Sequence, residues 1–388
     1  MELSLLKAVY INFKTPFHLS DAKPYDYSNS SHRLHSDTLY AALIYALSLV
    51  DYPLEEYPTL PFTLSSAFPF IKVNENKYVH FFPRPFLQLT PAKKEENEKQ
   101  AAAQDPSLAK KIKKIQWLDK EQFFNLLQGK NLTPIENISE YVFKKYVCSH
   151  DNPKNIFRNA LSLITNCASE NSELDLIVRW VVPRIRVPRE EVGDTQIFYQ
   201  ERLEFLPGGG FFFLALLENP EAESVLKAAL TILQDIGIGS DKTIGQGQFK
   251  FCIKDFAISY GPPAAERKPD LLINLSLYCP ASYEELNALL SSSQDNTSNI
   301  AATKIGYEII KRGGWITTPN FLSYRKKNIY MFQEGSVFHF PSFLSAQNQR
   351  FFTLGTNVDL SPEKTPRTLD HKIIRCGKAL FLPVYLNK

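Results

Sequence analysis

Short apolar runs alternate with polar stretches along the chain, and the spacing of the apolar positions sets the elements. Residues 2–14, ELSLLKAVYINFK, form a β-rich opening run. A polar loop follows from about Ser20 to His35 and holds Ser28, Asn29, Ser30, Ser31, His32 and Arg33. In SDTLYAALIYALSLV, Leu39, Leu43, Leu47 and Val50 fall on one stripe at helical spacing. Ser36 is placed to cap that helix, because its hydroxyl can accept a free first-turn amide. Phe62–Phe70 and Tyr78–Phe82 read as strands. Residues 91–116 are charged, free of aromatics and rich in Lys, Glu and Ala, which predicts a mobile insertion. Residues 119–150 return to mixed helical character.

The stretch from Val182 to Glu218 reads as strands joined by turns. Asn219 then caps a helix whose first position is Pro220, where the missing N–H costs nothing. Val225, Leu226, Ala229, Leu230, Leu233 and Ile236 form its apolar face. A glycine-rich loop ends that helix, and Gln248–Tyr260 forms a strand. GPPAAERKP, residues 261–269, is a candidate linker. Beyond it come a strand at Leu271–Tyr278, a short helix at Tyr283–Leu290, the polar loop SSSQDNTSN, a strand at Thr303–Lys311 and further strands to Leu382–Tyr385. Strands outnumber helices, which predicts an α+β fold with a split βαβ, ferredoxin-like unit in each half. The expected domains are residues 1–260 and 270–388.

The length of 388 residues suits two domains. A formal net charge of +3 excludes a uniformly basic nucleic-acid coat and leaves room for a local basic groove. The five cysteines, Cys148, Cys167, Cys252, Cys279 and Cys376, include no CxxC pair, so a zinc ribbon is not expected and reduced thiols are. The N-terminus reads as a strand rather than a signal peptide, and no apolar run reaches the ~20 residues of a membrane helix. A soluble, cytoplasmic protein without a membrane partner is expected. HExxH, GxSxG, paired-carboxylate motifs and metal-ligand spacings are lacking, so neither cofactor nor metal is expected.

The chemistry concentrates in GIGSDKTIGQGQFKF, Gly237–Phe251. It is not a Walker loop: Asp241 stands where the second glycine belongs, and a helix precedes it where a strand should. Nor is it a dinucleotide fingerprint, since Lys242 occupies the third glycine position. A helix-ending glycine accounts for Gly237. It does not account for Gly245 and Gly247. Glycines let backbone amides approach an anionic chain, with Lys242 adding charge and Ser240 and Thr243 adding hydroxyls.

A helix, then GIGSDKTIGQGQF, then a strand resembles the glycine-rich loop of the RAMP superfamily of CRISPR-associated RNA-binding proteins. HSDTLYAAL at His35–Leu43, GYEIIKRGGWI at Gly306–Ile316 and IIRCGKALFLPV at Ile373–Val384 resemble signatures of one family within it, Csm-complex subunit four of type III-A systems. The resemblance implies two ferredoxin-like domains, close to RNA recognition motifs, face to face, with a protruding β-hairpin. It implies a non-catalytic role in antiviral defence, capping the 5′ repeat-derived tag of the CRISPR RNA. It implies docking on the large polymerase-like signalling subunit and on the backbone RAMP subunit that carries the target-cleaving aspartate.

On that footing Gly237, Gly239, Gly245 and Gly247 form a backbone cradle for RNA, with Lys242 on a phosphate and Ser240, Thr243 and Gln246 as polar contacts. Arg184, Arg186 and Arg189 lie where the superfamily carries a hairpin along the guide RNA, and Arg184 and Arg186 share one face of an extended segment. Arg33, His35 and Ser36 flank a helix N-terminus, which favours anions; for Ser36, capping alone is the competing reading. Trp315 is read as core or as a base-stacking ring. The rival function is a metal-independent precursor-RNA endoribonuclease of the same superfamily with His35 as general base.

Overall fold

The computed structural model describes residues 5–20, 27–54, 59–74, 77–87, 114–130, 142–148, 156, 175–188, 194–258, 267–291, 305–316, 324–344, 350–363 and 371–386. In chain order the elements are β1 (Leu6–Phe13), α1 (Ser36–Ser48), β2 (Phe62–Leu64), β3 (Phe68–Lys72), β4 (Tyr78–Pro83), β5 (Trp117–Asp119), α2 (Lys120–Leu127), β6 (Val142–Phe143), β7 (Tyr146–Val147), β8 (Ile177–Arg186), β9 (Gln196–Phe205), β10 (Gly209–Leu217), α3 (Ala222–Ile236) and β11 (Phe249–Asp255). Then follow β12 (Leu271–Asn274), α4 (Tyr283–Leu290), β13 (Ile309–Arg312), β14 (Ile329–Phe332), β15 (Val337–His339), β16 (Phe352–Leu354), β17 (Val358–Asp359), β18 (Ile374–Arg375) and β19 (Ala379–Val384).

One sheet has the order β11-β1-β10-β3-β4-β5-β7-β6, with β2 also on β10, and only β5–β7 is parallel. The second has the order β15-β12-β19-β16. The strand period of two assigns each side of the first sheet to a separate core. Val9, Ile11, Phe211 and Phe213 point to one side, where Leu39, Leu43 and Leu47 of α1 and Leu226, Leu230 and Leu233 of α3 cover them. Ala8, Tyr10, Phe212 and Leu214 point to the other side and share a core with Leu271, Ile273, Leu380 and Leu382 of the second sheet. Leu272 and Phe381 then turn toward Leu289 of α4. The layers are therefore helices, sheet, sheet, helix, and β10, covered on both faces, is an almost unbroken apolar run.

The mixed α+β class is as expected from the pattern, and several local expectations change. Phe62–Phe70 is two strands, because at Ser65–Ala67 the chain changes partners: Ser66 N–H donates to Leu275 O and Ala67 N–H to Leu34 O. Val50 lies past the end of α1 and is exposed. The expected strand at Thr303–Lys311 is found as Ile309–Arg312. α3 begins at Ala222 with Glu221 as its N-cap, so Asn219 is not the cap and Pro220 not the first residue; Asn219 Oδ1 instead accepts from Ala222 N–H at 2.9 Å across the preceding turn. Most of the 91–116 insertion, the start of the 261–269 linker, Cys167 and Arg189 lie outside the described residues, although Ile115 is buried. Cys148, Cys252, Cys279 and Cys376 are free thiols. No described helix is long and apolar enough to cross a membrane.

The two halves are locked at the start of α1. Asp37 is buried, and Arg312 binds it through Nε at 2.9 Å and Nη2 at 3.0 Å. Arg375 contacts the same carboxylate. Beside it, His35 Nδ1 lies 2.7 Å from Glu334 Oε1, which also accepts from Ser66 Oγ. Burial opposes ionisation of Asp37, but the Arg312 and Arg375 charges outweigh it and hold the carboxyl well below the usual range. Burial likewise opposes ionisation of Glu334, and His35 with Ser66 draws it down.

Asp37→Ala leaves two buried guanidinium groups without their carboxylate, and is expected to cost about 3–5 kcal/mol, read as a lowered urea midpoint. Both carboxyls titrate below their unfolded values. Their contribution is thus complete above about pH 5, begins to fall as pH drops below about 4, and is gone only below the carboxyls' own lowered pKa values. Urea midpoints for wild type and Asp37→Asn are expected to converge on acidification; parallel curves from pH 7 to pH 3.5 would contradict this assignment.

Candidate nucleic-acid interface

The glycine loop folds back on residues 15–19. Ser240 N–H donates to His18 O and Gly247 N–H to Pro16 O, each at 2.9 Å, and Ile238 N–H donates to Gly247 O at 3.0 Å. All four glycines have positive φ, between 73° and 102°. A Cβ on Gly237, Gly239 or Gly247 would collide with the carbonyl oxygen of Gln246, His18 or Ile238 respectively. One on Gly245 meets nothing within 4 Å. Three glycines are therefore required for the loop to close on itself and on its neighbour, and one faces open space.

That closure leaves a specific set of amides without a bond to any described residue. Asp241 sits in the left-handed region, φ 56° and ψ 29°, directly before a 3-10 turn at Lys242–Ile244. The amides of Asp241, Lys242 and Thr243 make no hydrogen bond to any described residue. A left-handed residue followed by a right-handed turn points three successive N–H groups at one spot, the geometry that binds anions. Lys242 Nζ lies 4.7 Å from the ring centroid of Tyr45 on α1. Among the described residues it forms no ion pair, and burial pulls its ammonium pKa down. An anion at this spot offsets that desolvation. Thr243 is exposed and Ser240 half-buried at the rim.

The loop is tied to the β8–β9 hairpin. Gln200 Nε2 donates to Asp241 Oδ2 at 2.8 Å. With its amide oriented to match its neighbours, Gln246 Oε1 accepts from Arg202 Nε at 2.9 Å and Nη2 at 2.8 Å. Gln246 is buried by this pair, so the expectation that it touches a base or ribose is replaced by a structural role: it fixes the base of the hairpin. β8 and β9 pair with each other over the ten residues from Ile177 to Arg186, and β9 is also bridged to Phe17 through Leu203. Register and alternation put Trp180, Arg184, Arg186, Phe198, Gln200 and Arg202 on one face, which is the face joined to the loop. Arg184 and Arg186 do share a face, as expected; Arg189 lies outside the described residues.

The other expected contacts are placed differently. Ser36 does not cap α1: His35 is the N-cap and makes no side-chain capping bond. Ser36 is buried, its Oγ accepting from Leu277 N–H at 2.9 Å and its N–H donating to Ser66 Oγ at 2.8 Å. His35 is 9% exposed and engaged with Glu334. An isolated helix N-terminus attracts anions, but here the second half covers it. Arg33 stacks on Trp117, guanidinium to centroid 5.7 Å. The loop and hairpin thus come together, while Arg33, His35 and Ser36 form a separate group at the junction between halves. Sequence reasoning missed Gln200, Arg202 and Tyr45. Only Tyr45 left a signal, an aromatic on the polar side of an amphipathic helix. Among the described residues no cluster of three or more His, Cys, Asp or Glu side chains is arranged to hold a metal.

Residues 268–384 match the family described as the CRISPR Csm4 C-terminal domain. The chain is 25% identical over 299 residues to CRISPR system Cms protein Csm4 of Methanocaldococcus jannaschii, covering 71% of this chain and 72% of that one. Its fold resembles a chain of a Csm3-Csm4 subcomplex from the type III-A CRISPR-Cas interference complex, with TM-score 0.56, 19% identity, and coverage of 97% of this chain and 99% of that one. A chain of a Csm1-Csm4 cassette in complex with pppApA aligns over 99% of both chains, with 16% identity and TM-score 0.49. The C-terminal third of the chain thus matches a Csm4 domain family, and the chain as a whole resembles Csm4 proteins in sequence and in fold.

The division of labour among the glycines predicts unequal costs. Gly245→Ala pays only the left-handed backbone penalty, about 1–2 kcal/mol. Gly247→Ala adds a collision with Ile238 and is expected to cost at least about twice as much, read in thermal unfolding of the two variants. Equal costs would show that the loop does not close as described.

Proposed function

We propose that this Csm4-like chain is a non-catalytic subunit of a type III-A Csm interference complex that holds the 5′ repeat-derived tag of the CRISPR RNA. The observation that carries this reading is the set of three unpartnered amides at Asp241–Thr243, with the Lys242 ammonium beside them and an arginine-bearing hairpin fixed to the same loop. Backbone N–H groups and a lysine match phosphate oxygens, and phosphate contacts position a strand without reading its sequence. Trp180 and Phe198 interleave with Arg184 and Arg186 on the hairpin face, offering rings and guanidinium planes to unstacked bases. With a net charge of only +3, binding by the isolated chain is weak at physiological salt, and neighbouring subunits complete the site.

The strand order β11-β1-β10-β3, with α1 following β1 and α3 following β10, supports a ferredoxin-like reading of the N-terminal half. In the C-terminal half the described residues supply β15-β12-β19-β16 and the single helix α4. We assign the chain two protein neighbours in a cytoplasmic complex: the backbone RAMP subunit with the target-cleaving aspartate, and the large polymerase-like signalling subunit, which it anchors. The rival reading, His35 as general base of an endoribonuclease, is disfavoured because that ring is buried between the halves and occupied by Glu334.

The test is co-expression of the complex with its guide RNA, comparing wild type with Lys242→Ala plus Thr243→Glu. The variant is expected to assemble while losing nuclease protection of the 5′ tag. Unchanged protection would leave the loop as a helix terminator only. Incubating the purified chain with repeat RNA in EDTA is expected to give no cleavage; site-specific cuts abolished by His35→Ala would establish the rival.

A further inference from the structure

Beyond the loop and hairpin, a second group of cations stands at the other end of α1. Arg312 and Arg375 share the single carboxylate of Asp37, and Lys326 lies beside them. Among the described residues Lys326 forms no ion pair, and Asp37 is the carboxylate near it. Burial pulls its ammonium down to about 8, with the Arg375 charge adding to the effect. The next residue, Arg325, lies over Trp315, guanidinium to centroid 5.0 Å, where the two strands of the β13–β14 hairpin continue as a bridge. Lys311 pairs across that hairpin with Tyr330, which is 66% exposed. Residues 306–316 and 324–332 carry five basic side chains and one acidic, Glu308.

α1 joins this cluster to the glycine loop. Thr38, Ala41, Tyr45 and Ser48 recur at helical spacing along its open side. At one end Arg312 Nη2 donates to Thr38 Oγ1 at 3.1 Å. Near the other, Lys242 stands over Tyr45. The seven-residue step from Thr38 to Tyr45 rises about 10 Å. Asp37 is the only charged residue of α1, and it is buried and neutralised, so nothing negative lies on the open stripe. Small, uncharged side chains let a polyanionic backbone lie close to the helix, with a cation site at each end.

We propose that the open stripe of α1 is a single-stranded RNA track that runs from the glycine loop to the Arg325–Lys326 cluster, where Trp315 and Tyr330 supply stacking surfaces. The track rests on the RNA-holding function proposed above and extends the bound strand onto the C-terminal half. It makes Ala41 a place where RNA passes without being gripped.

The test is anisotropy of a 5′-fluorescein-labelled, mixed-sequence single-stranded RNA with the full chain. Ala41→Glu puts a negative charge on the path at an exposed helical site that tolerates it, so folding is retained. It is expected to weaken binding about tenfold or more, while Ala41→Gln stays within about twofold. Lys326→Ala is expected to weaken binding and lower the slope of log affinity against log salt by about 0.7. If Lys242→Ala weakens binding while Ala41→Glu and Lys326→Ala do not, the RNA leaves the loop by another route; the track is overturned and the proposed function stands. If all three variants bind as wild type, both fall. If Ala41→Glu keeps RNA affinity but loses a protein subunit from the co-expressed complex, the stripe is a protein interface and the track is overturned.

Discussion

One buried carboxylate sets the arrangement of everything that bears on function. Asp37 sits on the first turn of α1, and both of its arginines come from the other half of the chain. A buried charge of this kind adds little net stability against apolar packing, but it is severe about geometry, because any displacement leaves charged groups unpaired in a dry environment. The neighbouring His35–Glu334–Ser66 contact and the Ser36–Leu277 bond act at the same place. Together they fix where α1 starts relative to the second sheet. Since α1 also packs beside α3 under the first sheet, the lock decides where Tyr45, and hence Lys242, stands relative to the C-terminal half.

The charges divide by what they are spent on. Several are consumed internally: Asp37 takes Arg312 and Arg375, Lys7 takes Glu223 and Asp255, and Lys145 takes Asp175. Lys242 and Lys326 are both partly buried, and among the described residues neither is ion-paired, although Asp37 lies near Lys326; burial lowers both ammonium pKa values, a desolvation cost that an incoming phosphate would offset. A formal charge of +3 spread over the surface would say little about nucleic acid. Lys242 and Lys326 stand near opposite ends of one helix stripe that carries no charge of its own.

Regular elements were legible where periodicity is strong. α1, α3 and β10 have burial patterns that follow directly from spacing, because apolar transfer dominates there. The face shared by Arg184 and Arg186 followed from strand alternation alone. What could not be read is what lies across the halves. Ser36, His35 and Asp37 look like an ordinary helix start, and local chemistry makes such a start an anion site. Only tertiary contact shows that it is covered by Glu334, Arg312 and Arg375, roughly 300 residues away in sequence. Gln246 failed for the same reason: its partner, Arg202, lies on a strand far upstream.

The glycine loop first posed a choice between a helix terminator and a phosphate cradle, and the geometry dissolves that choice. Gly237, Gly239 and Gly247 are demanded by close backbone approach, which is a folding requirement. Within the closed loop Asp241 stands in the left-handed region, and the amides of 241–243 bond no described residue. The hairpin is pinned by the side chains on either side of this turn, Asp241 to Gln200 and Gln246 to Arg202. Folding and binding therefore use different atoms of one loop: the carbonyls and glycine Cα positions close it, and the amides of 241–243 remain. A substitution that leaves the closure intact and changes only the charge beside those amides separates the two roles, which is why Lys242 and Thr243, rather than the glycines, are the informative positions.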